Sequence, residues 1–280
     1  MKVTWRVGGM NRISDTQFQL DWLSLREPAD HAARAPELLR EAASLMAPGT
    51  RVVDLGSGTG STARAFAAAG FETMSWRFLD TDEGHLQVAK ARHPAADCAM
   101  CSVEDVQALP LEDAGLVTTS ALLDLMSAAW VAALAKRLAA ASIPFYAALS
   151  FDGRMEWDPG LPADSDIVQA FNRHQRGAKA GRVAMGPDAA VQTAQAFEAN
   201  GFEVRLADSA WHLGPDDAAL QAEFLAGVAV AAAEAGETQA QSWAEARRRT
   251  VNHTALVVGH RDLLAIPEGT PAQTLREPRR

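Results

Sequence analysis

VVDLGSGTGSTARAFA, residues 52–67, reads as a short hydrophobic strand, a glycine turn and the opening of a helix. Gly56, Gly58 and Gly60 permit positive φ and close approach of the backbone to a ligand, and the helix beyond them presents free N–H groups. A ligand-binding loop is the expectation. Its spacing separates it from two other loops of this kind. A dinucleotide fingerprint runs G-x-G-x-x-G, and here Ser61 stands where the last glycine belongs; a Walker A loop requires G-K-[ST], which the stretch lacks.

Outward from this stretch, strands and helices alternate. MSWRFLD (74–80) reads as a second strand, 83–92 as a helix, CAMCSV (98–103) and GLVTTS (115–120) as strands, 128–141 as a helix and PFYAALS (144–150) as a fifth strand. That order implies right-handed crossovers and a mostly parallel sheet covered on both faces, a doubly wound α/β domain. Before it, residues 14–46 read as two helical pieces, the first interrupted by Pro28 and the second stopping at Pro48 and Gly49.

Beyond residue 150 the alternation loosens. Residues 152–186 contain FNRHQRGAKAGR (171–182), a polar, glycine-dotted stretch expected to form a lid or binding surface. A helix over 187–200, a strand in FEVRLADSAW (202–211), helices over 216–235 and 238–249 and a last strand in TALVVGH (254–260) follow, and the tail PEGTPAQTLREPRR is expected to fray. The domain reading is an N-terminal helical cap segment at 1–48, an α/β domain at 49–266 with helical insertions at about 152–186 and 213–252, and a flexible tail at 267–280.

The 280 residues are 48% hydrophobic and 22% charged, ordinary for a folded chain. No apolar stretch approaches the roughly 20 residues a membrane span needs, and the N-terminus lacks an uninterrupted apolar signal region, so a soluble, cytoplasmic protein is expected. A net charge of −9 argues against nucleic acid as a partner. Cys98 and Cys101 have C-x-x-C spacing, but no further Cys pair or flanking His completes a metal site, and AMC reads as part of a buried strand. No metal is expected.

The tract D-x-G-x-G-x-G, Asp54 to Gly60, resembles the first motif of the class I S-adenosylmethionine-dependent methyltransferases. The resemblance implies a seven-stranded sheet with its last strand antiparallel, and S-adenosyl-L-methionine as cofactor with S-adenosyl-L-homocysteine as product. It implies that the loop wraps the methionine part, with Asp54 and the Gly56 carbonyl serving the ammonium group and Ser57, Gly58 and Gly60 completing the turn. FLDTDEGHLQVAKAR (78–92) matches the family's next segment and assigns the ribose hydroxyls to Asp80, with Thr81 beside it and Asp82 as a second candidate. The gap before Asp80, filled by ETMSWR, is longer than usual for the family. In EDVQALP (104–110), Asp105 is the expected partner of the adenine amino group, with Glu104 its neighbour. TTSALLDL (118–125) matches the segment that passes under the cofactor and brings Ser120 and Asp124 near the transferred methyl. DWLSLREPADHAAR (21–34) and FYAALSFDGR (145–154) are similar to a bacterial subgroup with no assigned substrate.

Ligands of an open parallel sheet bind outside the carboxyl ends of its strands. With the fifth strand ending near Phe151, Asp152, Arg154 and the FNRHQR stretch start on that side, as do Trp211 and His212; an antiparallel last strand starts there with Asn252 and His253 and carries His260 away. Trp157, Trp211 and Trp243 either line a cavity or pack a lid. Asp124, His174, His212 and His253 are the available bases, with Asp124, His174 and His253 the catalytic candidates. Arg26, Arg34, Arg154 and Arg173 are candidates for a carboxylate on substrate or cofactor, and Arg247 to Arg249 reads as a solvated helix end.

The function expected is methylation of a small-molecule acceptor at oxygen or nitrogen by in-line displacement, with no nucleic-acid or membrane partner and a homodimer left open. The alternatives are a non-catalytic protein that binds S-adenosylmethionine or S-adenosylhomocysteine, and a nicotinamide-dependent oxidoreductase.

Overall fold

The computed structural model describes residues 12–47, 49–179 and 182–270. Much of the tail expected from residue 267 lies outside the described residues, as does the start of the N-terminal segment. Two helices lead the chain, α1 (Arg12–Ala33) and α2 (Pro36–Ser44), followed by β1 (Arg51–Leu55), α3 (Ser61–Ala68), β2 (Ser75–Asp80), α4 (Glu83–Arg92), β3 (Asp97–Met100), β4 (Ala114–Ser120), α5 (Ala128–Ala141) and β5 (Phe145–Asp158). Then come α6 (Asp164–Gln175), the short pair β6 (Ala178–Lys179) and β7 (Arg182–Val183), α7 (Ala189–Glu198), β8 (Phe202–Asp208), β9 (Trp211–Leu213), α8 (Ala218–Glu234), α9 (Ala240–Thr250) and β10 (Ala255–Pro267).

The main sheet has the order β3-β2-β1-β4-β5-β10-β8. β1 to β5 pair in parallel, and β10 runs antiparallel between β5 and β8. This is the doubly wound sheet expected from the sequence, with an eighth strand, β9, added against the start of β10. Because the chain leaves β1 toward β2 on one side and returns to β4 on the other, a crevice opens beyond the carboxyl ends of β1 and β4, and the glycine loop lies in it.

Sequence and packing agree strand by strand. In β5, Phe145 and Ala147 face α5 and α7, where Phe145 stacks on Phe197 with centroids 5.0 Å apart, while Tyr146 and Ala148 join α2 and α3 on the other face. Period-two alternation thus supplies both layers. Cys98 and Cys101 pack toward opposite faces and both are free. β3 is an edge strand, so AMC is only partly covered, and Met100 is 67% exposed.

The structure departs from the sequence reading at four places. Pro28 lies inside the continuous helix α1. The lost backbone hydrogen bond is outweighed there because Glu27, Asp30 and His31 on either side of it all bond to the rest of the chain. Residues 152–186, read as an irregular lid, begin with seven residues of strand: β5 continues to Asp158, and FNRHQ closes α6. Ile167, Ala170 and Phe171 give α6 a buried stripe that its many polar residues hid. Arg247 is not solvated; it is 1% exposed, on the face of α9 that carries Ala240, Trp243 and Ala244. His260 is not carried away from the carboxyl edge. Ser120, the end of β4, pairs with Ala148, whereas His260 pairs with Phe151, about 10 Å further along β5 in the direction of the ligand side.

That last difference has a structural cause. β5 and β10 run on together past the sheet edge to the pair Asp158–Ala255, and the extension forms the floor of a third hydrophobic cluster with α1, α6, α8, α9 and β9. A second layer of core therefore stands on the ligand side of the sheet.

Candidate active site

The glycine loop is a tight turn whose backbone is fixed from below. Ser57 N–H donates to the Leu79 carbonyl at 3.0 Å and Gly60 N–H to the Ser57 carbonyl at 2.9 Å. Gly56, Gly58 and Gly60 have φ of 65°, 53° and 79°, the left-handed region that favours glycine. At Gly60 space is also short: a Cβ would meet the rings of His93 and Phe78 at 3.1 and 3.2 Å.

Asp54 is the next-to-last residue of β1, beneath this loop, and is 1% exposed. Thr118 Oγ1 donates to its Oδ1 at 2.7 Å, while Oδ2 has no hydrogen-bond partner among the described residues. Burial pushes its pKa up to about 6, against the opposing pull of the Thr118 hydroxyl and the Arg34 charge. Ser57 Oγ is likewise buried with no hydrogen-bond partner among the described residues.

Arg34 lies between α1 and α2 and is 5% exposed. Its Nη2 donates to Ser120 Oγ at 3.1 Å, and Nε and Nη1 have no hydrogen-bond partner among the described residues. Burial alone would lower its pKa, but Tyr146, Asp262 and Asp30 around it more than compensate and hold the guanidinium charged. The junction that carries Arg34 is anchored by Asp262, wholly buried on β10, which accepts from Ala35 N–H at 3.0 Å, Tyr146 hydroxyl at 2.8 Å and Leu149 N–H at 2.9 Å. Leu149 holds φ at 57°, a strained value for leucine, and its bond to Asp262 helps fix that kink where β5 passes the sheet edge.

Asp80, at the end of β2, turns its carboxylate toward the loop. Oδ2 accepts Gly58 N–H at 2.8 Å and Oδ1 accepts Asp82 N–H at 2.9 Å. Burial would raise its pKa, but His85 and these two backbone donors outweigh it and hold it below the ordinary carboxylate value. Asp82, the second candidate, is occupied as the N-cap of α4, accepting from Gly84 and His85 N–H. Thr81 is exposed at the same strand end. Asp105 is exposed and caps a short 3-10 turn through Gln107 N–H at 3.0 Å.

Helix α1 roofs the loop. Leu23 Cδ1 would lie 3.5 Å from a Cβ on Gly58. Glu27 forms two contacts with Arg64 of α3, including Nη2 to Oε2 at 2.8 Å, and His31 Nε2 lies 3.0 Å from Ser61 Oγ. One turn on, Asp30 takes a bidentate contact from Arg26 and the Trp211 indole N–H at 2.9 Å, with Arg26 over the rings of Trp22 and Trp211.

The catalytic candidates stand on three different elements. Asp124 follows the end of β4, partly buried in a short 3-10 turn. His174 bonds Glu234 of α8 at 2.9 Å on the cap. His253 is exposed just before Ala255, which faces Asp158, ten residues and about 30 Å along β5 from the sheet edge at Ala148. His212 is also exposed. Trp157 and Trp243 pack edge to face with each other, and Trp211 packs against His260 and Phe224. Arg154 pairs with Asp208, and Arg173 is exposed. Sequence reasoning gave no weight to Asp262 or His85. A lone acid in the apolar run of β10 was the available signal for the first, and a histidine on the first turn after Asp80 for the second.

Among the described residues no three His, Cys, Asp or Glu side chains gather as a metal site requires, and no helix is long and apolar enough to cross a membrane.

Residues 52–142 match the family described as methyltransferase domain. No curated protein matches the chain. Solved structures with a similar course include a geranyl diphosphate C-methyltransferase from Streptomyces coelicolor (12% identity, 95% of this chain and 88% of that one, TM-score 0.44). Others are an S-adenosylmethionine-dependent methyltransferase from Geobacter sulfurreducens with S-adenosylhomocysteine (16%, 84% and 92%, 0.44) and the cyclopropane synthase MmaA2 from Mycobacterium tuberculosis (13%, 81% and 82%, 0.45). At these identities and scores they say nothing about the acceptor. The glycine loop and the strand-end acids Asp54 and Asp80 fall within the matched segment, residues 52–142, which is similar to a methyltransferase domain.

Proposed function

We propose that the protein methylates a small-molecule acceptor, at oxygen or nitrogen, with S-adenosylmethionine as donor. One observation carries the reading: two buried, opposite charges flank the glycine loop with polar atoms that have no hydrogen-bond partner among the described residues, Oδ2 of Asp54 and Nε and Nη1 of Arg34. An amino-acid ammonium and carboxylate complement that pair. A pyrophosphate complements Arg34 but meets repulsion from Asp54. In this reading Gly56, Ser57, Gly58 and Gly60 wrap the amino-acid part, Asp80 and Thr81 take the ribose, Asp105 takes the adenine and Ser120 borders the methyl.

Bound S-adenosylmethionine supplies a methyl group already activated by a positive sulfur. The chain's own contribution is alignment and exclusion of water, for which the roof of α1 and the cap cluster behind it are suited. Asp124, next to the end of β4, is the candidate to accept an acceptor's proton; His174 and His253 are turned to the cap and its far end. The net charge of −9 favours a metabolite over a nucleic acid.

Calorimetric titration with S-adenosylhomocysteine and with NAD tests the cofactor. Binding of the first and not the second is expected, and binding of NAD alone overturns the reading. A screen of metabolite extracts with tritium-labelled methyl donor tests catalysis. A labelled small molecule is expected; no labelled product in any extract, with the cofactor bound, favours a binding protein without activity.

A further inference from the structure

The two edges of the main sheet differ. β3 closes one with four residues, Asp97–Met100. β8 closes the other with seven, Phe202–Asp208, held to β10 in unbroken register from Phe202–Pro267 to Asp208–Arg261. Among the described residues no strand pairs with its other side. An exposed edge of this length is commonly blunted by a proline, a bulge or a lysine. β8 has none of these.

Its side chains are complementary to themselves. Phe202, Val204 and Leu206 share the face covered by α7, where Leu206 is 44% exposed. Glu203 and Arg205 share the face of α2, with side chains 64% and 44% exposed. A two-fold axis perpendicular to the sheet would pair such an edge antiparallel with its own copy and keep every side chain on its face. Centred on Glu203 or on Arg205, that axis sets like charges opposite each other. Centred on Val204, it sets Glu203 opposite Arg205 twice and Phe202 opposite Leu206 twice. Opposite signs two residues apart thus select one register against its neighbours.

Both members also have capacity for a further bond. Arg205 donates to Glu203 through Nε at 3.2 Å and Nη2 at 2.9 Å, both to Oε1, and through Nη1 to Glu41. These use three of the guanidinium's five N–H groups and one of the Glu203 oxygens.

We propose that the protein forms a two-fold dimer through β8, antiparallel and centred on Val204, so that one sheet runs across both copies. Within β8 five residues of each copy pair, from Phe202 to Leu206, a small contact, so the dimer is weak and concentration-dependent. The glycine loop follows β1, with β4, β5 and β10 between it and the junction, so neither site is covered. The contact is independent of the cofactor reading above.

Sedimentation velocity over a concentration series tests it, on wild type, Arg205→Glu, Glu203→Arg and the exchanged pair Glu203→Arg with Arg205→Glu. Wild type and the exchanged pair should dimerise. Each single variant makes both facing pairs like-charged and should raise the dimer Kd about tenfold. An equimolar mixture of the two single variants should dimerise again, because the acids of one then face the arginines of the other. Wild type that stays monomeric throughout overturns the proposal, as do single variants that dimerise like wild type or a mixture that stays monomeric. Amide hydrogen exchange of wild type gives a reading that needs no variant: protection of residues 202–206 should rise with protein concentration, and unchanged protection there overturns the proposal.

Discussion

Asp54 is a carboxylate out of reach of water, held by the Thr118 hydroxyl, and its pKa of about 6 expresses the cost of ionising it there. The folded value lies above the unfolded one, so its contribution to ligand-free stability is full below about pH 4 and is lost as pH rises through about 6, up to about 3 kcal/mol. An ammonium ligand reverses that preference, because it requires the ionised form. The rise in Tm given by a fixed concentration of S-adenosylhomocysteine should therefore grow between about pH 5 and 7. Asp54→Asn should weaken binding about 10- to 100-fold and flatten that growth; a variant that keeps the wild-type slope removes Asp54 from the ammonium. Arg34→Met should weaken S-adenosylhomocysteine by a similar factor while leaving the Kd of adenosine, which has no carboxylate, unchanged. Equal loss for both ligands would mean that Arg34 acts only by holding α1. The sequence makes Asp54 and Asp80 legible because each ends a hydrophobic strand at a recognisable offset from the glycines. It hides Asp262 and singles out no one arginine, because Arg34 acquires its setting from Asp262, which is bonded to Ala35 across 227 positions.

Among the elements, α1 has most of its meaning in contacts that sequence periodicity does not encode. Its polar residues are the ones that grip the body: Glu27 to Arg64, His31 to Ser61, Asp30 to Trp211. The same contacts explain why Pro28 failed to mark an end. Strand limits were hidden for a related reason: β5 gains 151–158 by pairing with the start of β10 beyond the sheet edge, and β10 gains 261–267 by pairing with β8 inside it, which neither run alone shows. Glu27 is 16% exposed, so its loss removes charge-assisted bonds that water only partly replaces. Glu27→Ala should cost about 1–2 kcal/mol, seen as a Tm lower by about 2–6 °C. It should also raise the dissociation rate of S-adenosylhomocysteine in stopped flow, because the roof over the glycine loop opens more readily. A normal dissociation rate with the lowered Tm would reduce α1 to a structural strap.

For the whole molecule, the question is whether the cap and the sheet stand or fall together. β5 and β10 thread both, contributing Phe145 and Leu263 to the core beneath the sheet and Trp157 and Leu256 to the cluster above its edge. The cap's own anchor is Arg247, 1% exposed, whose guanidinium meets the Asp164 carboxylate, donates to the Pro159 carbonyl at 2.8 Å and lies 5.1 Å from the Trp157 ring centroid. Trp243 donates to the same carboxylate at 2.8 Å. Removing the cation leaves Asp164, 16% exposed, without its countercharge, so Arg247→Ala should destabilise the protein by about 3 kcal/mol. Replacing both members, Asp164→Asn with Arg247→Met, keeps most of the volume and removes both charges, and should recover a large part of that loss. Since two strands are shared, chemical unfolding of Arg247→Ala should remain a single transition, coincident by circular dichroism and by tryptophan fluorescence, with the Kd for S-adenosylhomocysteine of the folded protein unchanged. Two separated transitions, the fluorescence one earlier, would mean that the cap melts from a sheet able to stand without it.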